Sequence, residues 1–231
     1  MSHAHLLRIE PFGERGWLAQ LTNFSDNIES GLFANAAADV LRELPGVTDA
    51  VAGIDSITIR FDPTQTDAET SHHHLQNTIE TLSPKPAKST KEIDIPVLYG
   101  GSAGPDFEGL CQSNNLSPEQ LIDAHTKQHY RVITLGFAPG FAYMGPLDEC
   151  LQATRLETPR PRLAAGSVGV AGAFTGVYSL PSPGGWRIIG RTPRRLFDAT
   201  NPAPFVFEPG AEVRFWSISK TESDQIEQQS V

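Results

Sequence analysis

Cysteine is scarce in this chain: Cys111 and Cys150 are the two thiols among 231 residues. That scarcity points to a reducing compartment and leaves a single disulfide open without indicating one. Long apolar runs are missing as well. None approaches the roughly 18 residues of a membrane helix, so no membrane span is expected. The opening MSHAHLLRIEPFGERGW has no basic segment followed by an apolar one, and no signal peptide is expected. Lysine is sparse, with five residues, and none follows a glycine. A Gly-Lys-Ser/Thr phosphate loop is therefore excluded. Gly166, Gly169 and Gly172 stand three apart, which is not the dinucleotide fingerprint. Positive charge is in deficit, with a net charge of −9, and this argues against general nucleic-acid binding. There is no internal repeat. The 39% hydrophobic and 19% charged residues are those of a soluble globular protein, and a cytoplasmic one is expected. The length suits one large domain or two small ones.

What the chain does have is concentrated between Gly136 and Pro193. Ten of its 20 glycines fall there, interleaved with aromatics. Glycine permits positive φ and close backbone approach at an entropic cost, so a block this rich in it predicts a shaped surface. From Arg155 to Arg195 there are seven arginines and one acid, Glu157, a local balance of +6 within an acidic chain.

The elements can be placed in outline. LLRIEPF and GWLAQL predict two strands around a turn at Gly13. A helix starting at Ser25 or Asp26 has an apolar stripe of Ile28, Leu32, Phe33, Ala36, Ala37, Val40, Leu41 and Leu44, stopped by Pro45-Gly46. SITIRF alternates as a strand with Ile57, Ile59 and Phe61 on one face. Thr66 and Glu69 predict a capping box for a second helix with Ala68, His72, Leu75, Ile79 and Leu82 inward. This β, β, α, β, α order suits an α+β sandwich of ferredoxin-like type over residues 1–84. SPKPAKSTKE at 83–92 predicts a linker, placed between the domains at 85–92. IDIPVLYGG opens a second domain over 93–220. Ser117, Pro118 and Gln120 start a helix running to about His129, and RVITLGF and VRFW predict strands. Short strands broken by Gly and Pro predict a β-barrel. Residues 221–231 are expected to be a frayed polar tail.

Individual residues carry competing readings. Ser167 in AGSVG resembles a nucleophile elbow with Ala in place of the first Gly, or is a turn hydroxyl bonded to backbone. His72, His73 and His74 are adjacent on a helix, point in different directions and cannot chelate one metal together. His125 has a near-neutral intrinsic pKa and is either an acid–base group or a half-buried helix histidine. Arg160 and Arg162 sit on one side of an extended segment, and Arg187 and Arg191 flank a Gly-Gly-Trp turn. Their guanidinium forks suit a carboxylate or phosphate, or else pair with acids elsewhere in the chain. Phe137, Phe141, Tyr143, Phe174, Tyr178 and Trp186 suit a barrel core, with the polar ends of Tyr143 and Tyr178 available to a pocket.

The block GFAPGFAYMG…TPRPRLAAGSVGVAGAFTGVYSLPSPGGWRIIGRTP resembles the 5-oxoprolinase B-subunit family, also called allophanate hydrolase subunit 1 or KipI. YGGSAGPD at 99–106, the His125 to Tyr130 spacing and EPGAEVRF near the end belong to the same resemblance. It covers nearly the whole chain and is densest from Ile95 to Phe215. It implies a ferredoxin-like N-terminal domain and a cyclophilin-like C-terminal β-barrel. It also implies an obligate partner, the C-type subunit of 5-oxoprolinase, which is of the allophanate hydrolase subunit 2 kind. A third, A-type hydrolase component completes the system it implies. That system uses ATP, with Mg, to open 5-oxoproline to glutamate. Phosphorylating a lactam oxygen gives a leaving group, and arginine forks and backbone N–H groups suit such chemistry.

The resemblance makes His125 the catalytic candidate. It makes Tyr143, Arg160, Arg162, Ser167, Thr175, Tyr178, Gly184, Gly185 and Trp186 the substrate or nucleotide candidates, with no metal ligand. Two other roles found in the family stay open: inhibition of a sensor histidine kinase, and association with urea carboxylase or allophanate hydrolase. Ala142, Phe174 and Ser179 depart from the family pattern, which has Pro, Gln and Pro there. Phe174 removes the hydrogen-bonding groups a glutamine would offer a small amide.

Overall fold

The computed structural model describes residues 5–82 and 91–229. The chain divides into two compact units, residues 1–88 and 89–231. Most of the expected linker lies outside the described residues, and Glu92 already belongs to a strand.

The first unit runs β1 (Leu6–Pro11), β2 (Gly16–Leu21), α1 (Asn27–Arg42), β3 (Val47–Ala52), β4 (Ser56–Phe61) and α2 (Ala68–Thr81). Its strands pair antiparallel in the order β1-β2-β4-β3. This is the ferredoxin-like sheet with its closing strand moved to the front of the chain. β3 is an addition to the sequence reading. VTDAVA pairs with β4 alone and leaves most of its residues outside the core, so its apolar periodicity is weak.

Asp26 caps α1, its carboxylate accepting the backbone N–H groups of Ile28 and Glu29. The buried face of α1 is Ser30, Phe33, Ala34, Ala37, Ala38 and Leu41, whereas Val40 is 41% exposed. The true stripe is rotated from the predicted one because small alanines, rather than the bulkier Val40, let the helix approach the sheet. On α2 the cap is Asp67, accepting from Thr70 N–H, and not Thr66. Leu75 and Ile79 are buried as expected; Ala68 is exposed.

The second unit opens with β5 (Glu92–Tyr99), α3 (Phe107–Ser113) and α4 (Pro118–Thr126). There follow β6 (His129–Leu135), β7 (Ala142–Gly145), a 3₁₀ turn (Glu149–Leu151), β8 (Arg160–Leu163), β9 (Ser167–Ala171) and β10 (Phe174–Val177). β11 (Ser182–Gly184), β12 (Arg187–Arg191), β13 (Glu212–Ser217) and α5 (Lys220–Gln229) complete it. Seven strands close a barrel in the order β10-β7-β6-β13-β5-β12-β9, with β9 returning to β10. β13 and β5 run parallel, and β8 and β11 form a separate two-stranded ribbon. Ile95, Val97, Val132, Val168, Val170, Ile189 and Val213 are fully buried in the barrel core. α4 begins with the predicted capping box of Ser117 and Gln120 and ends at Thr126, a turn earlier than expected.

The polar tail is a helix rather than frayed chain. Ser219 and Glu222 cap α5 reciprocally, Ser223 is buried, and Arg191 pairs with Glu227 at 3.6 Å. A stretch too polar to announce a helical stripe is held by its cap and one packed face.

The loop between β5 and α3 lies tightly against β12. Gly100 N–H donates to Ile189 O, and a Cβ on Gly104 would stand 2.2 Å from that same carbonyl oxygen. Gly104→Ala is expected to destabilise the barrel by about 2–3 kcal/mol, since backbone must move on one side or the other. Urea unfolding of the full chain checks this, and an unshifted midpoint would show that the loop gives way freely.

Candidate functional site

The glycine-rich block builds an aromatic pocket beside the barrel. The loop 136–141 closes on itself: Ala138 N–H donates to Gly136 O, and Gly136 N–H to Phe141 O. It leaves β6 through Phe137, a non-glycine residue held at φ 68°, and re-enters β7 through Gly140 at φ 76°. This turn places Phe141 in the buried centre of a second apolar cluster with Leu163, Ala171, Tyr178, Trp186 and Ile188. The Phe141 ring meets four others nearly edge to face. Centroids lie at 5.5 Å from Phe137, 5.0 Å from Tyr143, 5.2 Å from Tyr178 and 5.4 Å from Trp186.

These rings line a pocket of about 80 Å³, completed by Gly184, Gly185 and Arg155. Gly184 is required by proximity, because a Cβ there would stand 2.4 Å from the Tyr178 hydroxyl. Burial pushes the Tyr178 phenol above its ordinary pKa, opposed by the Trp186 backbone N–H and the nearby Arg155. It therefore stays protonated near neutrality, able to give a hydrogen bond.

The structure sorts the seven arginines of this region. Arg160 makes a two-pronged bridge to Asp106, at 2.8 and 2.9 Å, and Asp106 also accepts Ile188 N–H at 2.7 Å. Its fork is fully used within the protein, which removes it from the anion role expected of it. Arg187 donates to Thr154 O, Arg191 to Ala165 O, Arg194 to Asp94 O and Arg195 to Phe197 O. Arg155 and Arg162 have no hydrogen bond or ion pair among the described residues. Only Arg155 of these two lines the pocket.

His125 is also displaced from its expected role. It lies on the buried face of α4, fully enclosed, and both ring nitrogens are engaged. Thr175 Oγ1 gives its one proton to Gly169 O, so it accepts from Nε2–H of His125 at 3.0 Å. Nδ1 is thereby bare and accepts from the Tyr99 hydroxyl at 2.7 Å. The relay Tyr99–His125–Thr175–Gly169 ties β5, α4, β10 and β9 together. Burial pushes the His125 pKa down to about 3, so the ring is neutral, and no substrate reaches it. Ser167 takes the turn reading: it is buried and its hydroxyl donates to Ala164 O at 2.8 Å.

The pocket thus gathers Tyr143, Tyr178, Gly184, Gly185 and Trp186 of the predicted residues, and leaves out His125, Arg160, Arg162, Ser167 and Thr175. Arg155 belongs to the predicted arginine cluster, yet nothing in the sequence ranked it above its neighbours. Both departures closest to the pocket have structural partners. Phe174 packs edge-on against Tyr143 with centroids 6.4 Å apart, and the Ser179 hydroxyl donates to Pro139 O, clamping the loop below Phe141. His73 and His74 are exposed, and His72 packs against Trp17. No cluster of three metal-ligating side chains occurs among the described residues. Both thiols are free, and burial raises the pKa of each.

A ferredoxin-like unit followed by a closed barrel of this kind has counterparts. The family described as carboxyltransferase domain, subdomain C and D, matches residues 7–207. The 5-oxoprolinase B subunit of Bacillus subtilis (strain 168) is 32% identical over 96% of this chain and 98% of its own length. That of Escherichia coli O157:H7 is 39% identical over 77% of this chain and 81% of its own. The crystal structure of TTHA0988 superposes with a TM-score of 0.74 at 32% identity, covering 89% of this chain and 40% of that longer one. The Kluyveromyces lactis urea carboxylase shares the fold, with a TM-score of 0.77 at 17% identity over 99% of this chain and 24% of its own. This chain belongs to the 5-oxoprolinase B-subunit family.

The buried His125 sets a pH dependence. The unfolded chain protonates this imidazole as pH falls through about 6.5, while the folded chain resists until about 3. Its folded-state pKa is depressed, so stability is full above pH 6.5 and declines as pH drops between those values, by up to about 1.4 kcal/mol per unit. Melting temperature measured from pH 7.5 to 5 is expected to fall in the wild type and to fall less steeply in His125→Gln. Parallel slopes would show that His125 does not govern the loss.

Proposed function

We propose that this chain is a subunit of an ATP-dependent 5-oxoprolinase complex and that its aromatic pocket seats the lactam ring. The observation that carries this reading is an unpaired arginine at the lip of a small aromatic pocket. The pocket is small, at about 80 Å³, and aromatic on most sides. In this reading the five-membered ring docks at its mouth, against the aromatic rings. The carboxylate of 5-oxoproline then lies toward Arg155, whose guanidinium is free to grip it with two parallel hydrogen bonds. The protonated Tyr178 hydroxyl is available to the lactam oxygen. The names of the Bacillus subtilis and Escherichia coli relatives support the same substrate.

The aromatic pocket does not fit a nucleotide by itself. The pocket is well below the roughly 300–1,000 Å³ of sites for drug-sized ligands. No lysine follows a glycine, so no phosphate-cradling loop of that type exists. In this reading ATP is held by the C-type partner, and a third, A-type hydrolase component completes the reaction. The work of this chain is to bind and orient the ring, exclude water with Phe137 and Phe141, and fix the carboxylate.

The test is nucleotide hydrolysis by the co-purified complex, followed with and without 5-oxoproline. Stimulation by 5-oxoproline is expected, and none in an intact complex would sink the reading. Arg155→Ala is expected to raise the half-saturating 5-oxoproline concentration about tenfold or more, the usual effect of losing a charged hydrogen-bond partner. An unchanged value removes Arg155 from the site. Phe174→Gln exchanges the edge contact with Tyr143 for an amide. It is expected to alter lactam affinity if this position tunes the pocket, and a flat response assigns Phe174 to packing.

A further inference from the structure

A second cavity, of about 380 Å³, lies between α3 and the extended segment 152–154, with Arg187 of β12 beside it. Its composition differs from that of the aromatic pocket. Asp106 is the one acid lining it, and that carboxylate is already matched by the Arg160 fork and the Ile188 N–H. The remaining formal charge is the half-buried Arg187. Its Nε is held by Thr154 O at 3.2 Å, which fixes the guanidinium plane and leaves both terminal nitrogens without a protein acceptor. The Gln152 amide and the Thr154 hydroxyl also lack hydrogen-bond partners among the described residues. The groove end is kept in shape by Asn114, whose amide donates to Cys150 O at 2.8 Å. Gly109 faces open space, so the groove wall on α3 is clear of side chain there.

We propose that this groove is a second binding site, for an oxyanion, with Arg187 as its charged anchor and Gln152 and Thr154 as neutral donors. A preoriented guanidinium with free terminal N–H groups, flanked by neutral donors and by an acid already neutralised, suits a phosphate or carboxylate group. The site adjoins the aromatic pocket through the chain itself. Thr154 and Arg155 are consecutive, as are Trp186 and Arg187, and the two members of each pair line different cavities. An anion in the groove therefore bears on the two chain segments that carry the pocket's arginine and its indole. The proposal is independent of which ring the pocket takes.

Calorimetric titration of the full chain with sodium phosphate, and separately with sodium acetate, tests it against sodium chloride at matched ionic strength. Saturable binding of one oxyanion is expected, weakened about tenfold in Arg187→Ala and partly restored in Arg187→Lys. Phosphate alone saturating assigns a phosphoryl ligand, and acetate alone assigns a carboxylate. Thr154→Val and Gln152→Ala leave the Arg187–Thr154 backbone bond in place and are expected to weaken binding without loss of fold. Absence of saturable binding by either anion overturns the proposal, as does binding unchanged across all the variants. Binding of 5-oxoproline measured in the same preparations is a separate reading. Its failure with oxyanion binding intact counts against the lactam pocket and not against the groove.

Discussion

Asp106 and Arg160 form the contact around which the second unit is arranged. The carboxylate is 9% exposed and accepts three hydrogen bonds, two from the guanidinium and one from Ile188 N–H. It ties the loop before α3 to β12, and through Arg160 to the β8–β11 ribbon. That ribbon carries Gly184 into the aromatic pocket, while Asp106 itself lines the groove. Removing Arg160 would leave Asp106 as a poorly compensated buried charge, which costs about 3–5 kcal/mol in comparable buried pairs. Both cavities border elements that this one pair joins. The arginine with the best fork is for this reason not the one offered to a ligand.

The pocket rests on a different kind of constraint. Phe141 touches four rings, and its position depends on a loop that takes positive φ at Phe137 and Gly140. A phenylalanine at φ 68° with 60% of its surface exposed is strained and poorly buried at once. The Ser179 hydroxyl on Pro139 O and the edge contacts to Phe141 and Tyr178 hold it there. A proline at position 179, as the family pattern has it, would lack this bond. The departure at Ser179 and the loop it clamps are thus one feature.

Much of the architecture was legible from local signals. Alternation in SITIRF, the Ser117-Pro118-Gln120 cap and the turn-punctuated block each depend on neighbours in sequence, and each predicted its element. β3, α3 and α5 were not legible, because each is short or polar and is held by pairing, capping or one packed face rather than by a stripe. The site shows the same division. Tyr143 and Tyr178 stood out by their polar ends among the aromatics of the glycine block, and Gly184, Gly185 and Trp186 came with the family resemblance. Arg155, Gln152 and Thr154 were not singled out, because their significance lies in what they do not pair with.

The amino-acid order alone determined the two-part α+β plan, the barrel and the family, since period, caps and long motifs are properties of contiguous residues. It also supplied an excess of arginine in one region. Which of those arginines is free was decided only by the tertiary structure. Charge pairing depends on distance in space: Asp106 is far from Arg160 in sequence and 2.8 Å away in the fold. The same holds for His125, whose nearly neutral intrinsic pKa suggested chemistry. Burial among Tyr99, Tyr130 and Phe215, with both nitrogens satisfied, made it a structural tie instead.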